Sequence, residues 1–358
     1  MAYETGSATN ANDLLDKLGI FALANGWTIQ RNTAGLLFLS KGICAVSIQT
    51  QNFNYNDWET GSSVSTPSSR WNMALNVSND GTRTTFWGHP GSLVTTSADT
   101  DRVVTNDLYG PFTEYHFFEG TDGGAGYIHI VARTAAERWR CWGFGHLNKG
   151  AYSHTGAAYL VGCDGFYYRN RSAFNIATWY SIISAAPYPF ARNSSETLVG
   201  SGQPTALYVP DGSPVGWGQW ASASAPGGVL SLINGRQKPI LGSSGDESYP
   251  SSAASNTIQR LLNPLYFGLE SQWGGNRMLF TLPFVMTNAS AGRLCHIGQY
   301  PDVRAVNLEG LQIPQSLFYS TDEWVCFPVG RRTPWGLQSE IGFQYSSGQF
   351  GLAFRKNA

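Results

Sequence analysis

The fold is decided by the stretch YIHIVARTAAERWRCWGFG, residues 127–145. Apolar and polar residues alternate with period two on both sides of a short turn-like segment, which is typical of two antiparallel strands joined in a hairpin. The returning strand is predicted to place four residues on one face: Arg138, Arg140, Trp142 and Phe144. Trp139 and Cys141 fall on the opposite face, and the glycines at 143 and 145 indicate a bulge or a close approach of another backbone.

The rest of the chain repeats short apolar segments between turn residues. Glycine accounts for 41 of the 358 residues and aromatic side chains for 13%. The apolar segments are bounded by Gly, Asn and Pro, as in strands joined by tight turns. The sequence therefore predicts a mainly β fold with antiparallel, sandwich-like sheets and long Gly/Ser-rich loops.

One N-terminal segment has a helical period instead. Asn10–Asp13 offers N-cap residues, and Asn25-Gly26 supplies a C-terminal stop. Between them, apolar residues recur with the spacing of one face of an amphipathic helix. The helix residues predicted to pack are Leu14, Leu15, Leu18 and Phe21.

Composition divides the chain into three segments. Residues 191–260 contain 29 Gly, Ser or Pro among 70 residues, which is typical of low-complexity loops. Aromatic residues punctuate this segment, so we expect an ordered loop or arm laid against a neighbour. The predicted division is a helix-plus-β domain at 1–190, the arm at 191–260 and a C-terminal antiparallel β domain at 261–358. The residues expected at an interface are Tyr208, Trp217, Trp220, Arg138 and Arg140.

Charge is scarce in this sequence. The chain has 23 Lys and Arg and 24 Asp and Glu, so 13% of its residues are charged and the formal net charge is -1, whereas typical soluble domains carry about 25% charged residues. Sparse, balanced charge excludes the basic footprint of a nucleic-acid binder. No apolar run reaches the roughly 18 residues of a membrane-spanning helix. Few like charges and many aromatics favour association with other protein surfaces.

The first residues and the cysteines indicate the compartment. The chain starts without the basic and apolar regions of a secretory signal, so we expect synthesis in the cytoplasm. Its five cysteines show no C-x-x-C spacing, which predicts reduced, buried thiols and no disulfide framework.

No motif in the sequence predicts catalysis. The chain has no G-x-S-x-G elbow, no phosphate-binding loop, no G-x-G-x-x-G after a strand and no H-E-x-x-H. Four residues share one short window with spacings that match no zinc site: Cys141, His146, His154 and Cys163. Three acids permit a carboxylate pair of the kind that glycosidases use, although solvated loop carboxylates explain them as well: Glu114, Glu119 and Asp122. We therefore predict no enzyme, no catalytic residues, no metal and no cofactor.

Three blocks of the sequence carry a resemblance to a known class of proteins. The blocks are Met1–Asn10 with Leu14–Leu18 and Gly26-Trp27; Tyr115–Phe118 with Tyr127–His129, Trp139-Arg140 and Gly143–Leu147; and Tyr300–Asn307 with Trp324–Pro328 and Gly351–Lys356. Together they resemble virion structural proteins of tailed bacteriophages. The resemblance implies a component of the virion, made in the host cytoplasm and associated with the tail, its tip or the baseplate. Its partners would be copies of itself, in a symmetric homo-oligomer, and other phage tail proteins.

Two alternatives stay open on the sequence. The first is a receptor-binding tail protein that binds or cleaves a host surface glycan, because exposed aromatic rings such as Tyr208, Trp217 and Trp220 stack on sugars. The second is a capsid decoration protein, which uses the same packing physics elsewhere in the particle. Binding of the isolated protein to host polysaccharide is expected for the first alternative and not for a scaffold protein.

Overall fold

The elements of the fold lie in the described part of the chain. The computed structural model describes residues 1–56, 63–92, 103–105, 108, 110–122, 125–134, 139–149, 158–161, 205–208, 220–222, 229–231, 279–288, 293–308, 310–328 and 350–356. In chain order the elements are β1 (Ala2–Ala8), α1 (Ala11–Ala24), β2 (Thr28–Thr33), β3 (Leu36–Lys41), β4 (Cys44–Asn56), β5 (Ser63–Asn76), β6 (Val103–Thr105), β7 (Phe112–Asp122), β8 (Ala125–Arg133), β9 (Trp139–His146), β10 (Asn148–Lys149), β11 (Ala158–Val161), β12 (Thr205–Tyr208), β13 (Trp220–Ser222), β14 (Val229–Ser231), β15 (Phe280–Asn288), β16 (Arg293–Asn307), β17 (Gln315–Tyr319), β18 (Asp322–Pro328) and β19 (Phe350–Arg355). Within these ranges the fold is mainly β with a single helix, which confirms the predicted fold class.

The described strands form three antiparallel sheets. The central sheet has the order β1-β7-β8-β9-β11-β12-β13, and the N-terminal sheet has the order β2-β3-β4-β5-β6. The C-terminal sheet has the order β14-β15-β16-β19-β18-β17, with β10 also paired to β16. The short strands β12, β13 and β14 belong to the segment 191–260, which was predicted to be an ordered loop or arm. The rest of that segment lies outside the described residues.

The central sheet is the middle layer of the molecule. On one face, Trp142 of β9 packs edge-on against Trp71 of β5 with ring centroids 5.2 Å apart, and Phe117 of β7 lies 5.4 Å from Phe21 of α1. On the other face, Trp139 of β9 lies 5.0 Å from a phenylalanine ring of β18. Helix α1 and the N-terminal sheet therefore cover one face of the central sheet, and the C-terminal sheet covers the other.

The hairpin that decides the fold forms with the predicted alternation. Strands β8 and β9 pair from Tyr127 opposite Gly145 to Arg133 opposite Trp139. Trp142 and Trp139 pack against different layers, as period-two alternation requires. Gly145 has a φ of 145°, and a Cβ on it would lie 2.2 Å from the Cα of Tyr127. The predicted close approach of backbones is therefore present at this glycine.

Helix α1 is capped at both ends by side chains. The Asn10 side-chain oxygen accepts hydrogen bonds from the backbone N–H groups of Asn12 and Asp13, at 2.9 and 3.0 Å. At the other end the Asn25 side chain donates to the carbonyl of Phe21 at 2.8 Å. All four residues that were predicted to pack are buried: Leu14, Leu15, Leu18 and Phe21.

A buried ion pair joins the N-terminal layer to the central sheet. Lys41 Nζ lies 2.6 Å from Oε1 of Glu119, and the two side chains are only 17% and 6% exposed. The same carboxylate oxygen accepts a hydrogen bond from the Trp27 indole at 3.3 Å, and Lys41 also donates to the Asn25 carbonyl at 2.8 Å. Protein donors therefore replace the water that this carboxylate loses on burial.

A second polar link joins the central sheet to the C-terminal sheet. The Tyr127 hydroxyl of β8 donates to Asp302 of β16. Arg355 of β19 donates to Asp302 at 3.3 Å and to Asp322 of β18 at 2.7 Å. This network ties three strands of the C-terminal sheet to one strand of the central sheet.

One hydrophobic core runs through the layers. It contains Phe144 of the central sheet together with Val303 and Phe354 of the C-terminal sheet. The described parts of 1–190 and 261–358 therefore share a core, and the predicted domain boundaries stay a prediction. The core is shared because the C-terminal sheet has an apolar inner face that is buried against the central sheet.

Candidate functional site

The most exposed large apolar side chain in the described part of the chain is Phe318, which is 72% exposed. It lies in β17, which pairs with β18 along one edge, and no described strand pairs with its other edge. The strand Gln315–Tyr319 contains neither a charged residue nor a proline. Edge strands in natural proteins are usually protected by charge, proline or a bulge. This edge lacks the first two of these protections, and among the described strands its outer side is unpaired.

The charges beside this edge are paired within the chain. Asp322 accepts a hydrogen bond from Arg355 at 2.7 Å, and Glu323 accepts from Lys356 at 3.1 Å and from the Ser316 hydroxyl at 2.8 Å. The hydrogen bonds from Ser316 and Lys356 lower the pKa of Glu323. Each of these two described acids beside β17 therefore has a basic partner within the same chain.

A second exposed apolar patch lies at the C-terminal end of helix α1. Ile20 and Leu23 are 65% and 62% exposed, and their spacing of three residues makes them neighbours on the outward face. The inward face of the same helix carries the buried packing residues. A surface helix is usually polar on its outer face, so apolar residues on both faces favour a further contact for the outer one.

A hydrogen-bonded chain of three side chains is the strongest arrangement for chemistry. The Tyr3 hydroxyl of β1 lies 2.8 Å from Nδ1 of His116, and Nε2 of His116 lies 2.9 Å from Oε1 of Glu114. The His116 ring is buried and lies 4.6 Å from the ring of Phe327. A neutral His116 with its proton on Nε2 donates to Glu114 and accepts from Tyr3, which is the order of a hydroxyl, a base and an orienting carboxylate.

The pKa values oppose proton transfer along this chain. Burial, with a smaller effect of the Lys356 charge, lowers the pKa of His116 to about 4. Burial raises the pKa of Tyr3 above its usual 10.0. Because burial moves the two pKa values apart, transfer of the Tyr3 proton to His116 is strongly unfavourable. The geometry therefore favours a neutral hydrogen-bonded contact over an activated tyrosine.

Stability is expected to fall between pH 6.5 and pH 4 because two histidines are buried in the neutral form. Burial lowers the pKa of both His116 and His129 to about 4, from 6.5, and His129 Nε2 donates to the Pro301 carbonyl at 2.7 Å. In this pH range the unfolded chain binds protons that the folded chain does not. As the pH falls, the free energy of unfolding therefore decreases by up to about 1.4 kcal/mol per pH unit for each histidine. Urea unfolding at several pH values measures this slope. A His116→Gln variant with the same slope as the parent would contradict the assignment.

The acids that the sequence offered as a carboxylate pair do not come together. Glu114 bonds to His116 on the face of β7 that meets the C-terminal sheet. Glu119 pairs with Lys41 on the opposite face of the same strand. The side chain of Asp122 lies outside the described residues. The structure therefore gives no Glu114–Glu119 pair across a shared cleft.

The residues predicted at an interface fall in different places. Arg140 is fully buried on the face of β9 that meets the N-terminal sheet, because that sheet covers the hairpin, so it is not on the surface where an interface residue belongs. Tyr208 of β12 and Trp220 of β13 lie opposite each other in the antiparallel register. Arg138 and Trp217 lie outside the described residues.

The window of cysteines and histidines gives no metal site in the part of the chain that is described. Cys141 and His146 are buried in β9, and the other two residues of the window fall outside the described ranges. Across those ranges, no group of three or more His, Cys, Asp or Glu residues is placed to hold a metal ion. Cys44, Cys141 and Cys326 are buried thiols that form no disulfide within the described residues.

Sequence reasoning missed the exposed Phe318 and the Tyr3–His116–Glu114 chain. A signal for the first was present, because residues 315–321 carry no charge and contain the apolar run Leu317–Tyr319. The second had no signal, since Tyr3 and His116 are 113 residues apart and meet only through the pairing of β1 with β7.

Neither a scan against protein-family models nor a search of curated proteins finds a match for this chain. Among the residues that the structure describes, no helix is long and apolar enough to cross a membrane.

Proposed function

We propose that the chain is a non-enzymatic structural protein that assembles with copies of itself. The observation that carries this proposal is Phe318, 72% exposed on an uncharged strand whose outer edge pairs with no described strand. Burying one such side chain contributes about 1.5–3 kcal/mol, and an open strand edge offers backbone donors and acceptors to a partner. A net charge of -1 adds little repulsion between copies.

The place proposed for this assembly is the virion of a tailed bacteriophage, in the tail, its tip or the baseplate. The support is the resemblance of the three sequence blocks, together with a charge content of 13% and abundant aromatics, which suit surfaces buried in a particle. Other tail proteins are the further partners that this place implies.

Two measurements on the full chain test the proposal. Light scattering coupled to size-exclusion chromatography, over a wide concentration range, is expected to show a defined oligomer larger than the monomer. Antibodies raised against the chain are expected to label phage particles from its source in electron micrographs. A chain that stays monomeric at the highest concentration and is missing from particles would overturn the proposal.

Two further outcomes locate the protein. Binding of the isolated chain to host cells or host polysaccharide would favour the receptor alternative. Antibody label confined to the head would favour capsid decoration. Label on the tail without glycan binding supports the proposed place.

A further inference from the structure

We infer that β17 of one copy pairs with β17 of a second copy, antiparallel and across a two-fold axis. This inference rests on the proposed self-association and names the surface that carries it. It joins two C-terminal sheets edge to edge into one continuous sheet. Four features support it. They are the hydrogen-bonding pattern on the side of β17 that faces away from β18, the fit of β17 to a second antiparallel copy of itself, the pairing of the nearby charges and the exposure of Phe318.

The free edge of β17 presents the backbone groups of Ser316 and Phe318. Tyr319 and Asp322 flank a two-residue turn and pair with each other, so they exchange both backbone hydrogen bonds. Along an antiparallel ladder, hydrogen-bonded and non-hydrogen-bonded pairs alternate. Phe318 and Glu323 therefore form a non-hydrogen-bonded pair. Ser316 forms another such pair with its partner on β18. The N–H and C=O groups of Ser316 and Phe318 consequently point away from β18, toward the open side.

The register that uses these groups centres on Leu317. Ser316 of each copy then lies opposite Phe318 of the other, and each such pair exchanges two backbone hydrogen bonds across the axis. Each phenyl ring lies beside a serine, so a large side chain meets a small one on that face of the joined sheet. Leu317 meets its own copy on the two-fold axis, on the opposite face. Two copies of β17 related by the two-fold axis are therefore complementary in both shape and hydrogen bonding.

A second copy also suits the charge around this edge. The strand carries no charge, and the two acids of the following strand, Asp322 and Glu323, are paired with Arg355 and Lys356. Two copies can therefore approach without like charges facing each other, which is the arrangement that otherwise blocks edge-to-edge pairing.

Disulfide trapping tests the pairing directly. The Cα atoms of a non-hydrogen-bonded antiparallel pair lie about 4.5 Å apart, within the range of roughly 4.4–6.8 Å that a disulfide spans. Leu317→Cys is therefore expected to give a covalent dimer under mild oxidation, which a reductant reverses. Thr321→Cys, in the exposed turn of the same hairpin, is the matched control and reports random collisions and the native cysteines. Equal cross-linking of the two variants would overturn the register.

A charge on the edge tests the same surface without a new thiol. Phe318→Lys changes an exposed side chain, so the fold is kept, and we expect the apparent dissociation constant of the oligomer to rise at least tenfold. Val77→Lys, at an exposed apolar side chain outside both apolar patches, is the matched control and should leave that constant within about twofold. Sedimentation velocity over a concentration series measures both, and circular dichroism confirms that each variant is folded.

The outcomes separate this inference from the proposed function. If the parent chain is an oligomer, but Phe318→Lys keeps its affinity and Leu317→Cys does not cross-link, self-association survives and the β17 pairing is wrong. If the parent chain is monomeric at every concentration and Leu317→Cys does not cross-link, both are wrong. Cross-linking specific to Leu317→Cys together with weakened association of Phe318→Lys supports both.

Discussion

Gly145→Ala is expected to destabilise the protein by about 3 kcal/mol or more. Two penalties add at this position. A φ of 145° is a conformation that residues with a Cβ rarely adopt, and the new Cβ would lie 2.2 Å from the Cα of Tyr127 on the paired strand. Backbone cannot move aside as a flexible side chain can, so β8 and β9 must separate locally. Chemical denaturation followed by fluorescence measures the loss.

Gly26→Ala is the matched control for this substitution. Gly26 also has a positive φ, 77°, but the nearest atom to a new Cβ is Lys41 Nζ at 3.9 Å. Only the conformational penalty applies there, and we expect a cost of about 1 kcal/mol. Equal losses at the two glycines would show that the close approach of β8 to β9 contributes nothing.

Lys41→Met is expected to cost about 3–5 kcal/mol at neutral pH. The substitution removes the charge 2.6 Å from Glu119 and leaves a carboxylate that is only 6% exposed with the Trp27 indole as its remaining described donor. Breaking one side of a buried ion pair is far more costly than replacing both sides, because the remaining charge stays desolvated. The free energy of unfolding in urea measures the effect.

Two comparisons make the prediction specific to burial. Lys17→Met removes the partner of Asp13 in a more exposed pair, with side chains 33% and 29% exposed, and should cost less than about 1 kcal/mol. The double variant Lys41→Met/Glu119→Gln removes the stranded charge and should recover much of the stability. If the double variant loses as much free energy of unfolding as its two single variants together, the uncompensated carboxylate is not the cause of the loss in Lys41→Met.

The local parts of this fold are predictable because their signals are local. The hairpin at 127–145 shows its period of two in consecutive residues, and its two faces pack as that alternation indicates. The capping residues and the apolar spacing of α1 predict its position and its packing residues from the sequence.

The non-local parts carry no such signal. Nothing around Arg140 indicates that a separate sheet covers its face of the hairpin, so a residue expected at an interface is buried instead. The shared core across 1–190 and 261–358 depends on which apolar faces meet, which composition does not encode. Phe318 is exposed because it lies on the face of β17 opposite to Leu317 and Tyr319, which pack against the core. Which face meets the core depends on the whole topology.

The strand order also sets when the protein can fold during its synthesis. β19 (Phe350–Arg355) is the last described strand to leave the ribosome, yet it lies in the interior of its sheet, between β16 and β18. While translation continues, β16 and β18 have no partner between them, and the apolar face they bury later stays exposed to chaperones and proteases. Chains interrupted before residue 350 cannot complete that sheet, so cellular quality control can recognise and remove them before they join an assembly.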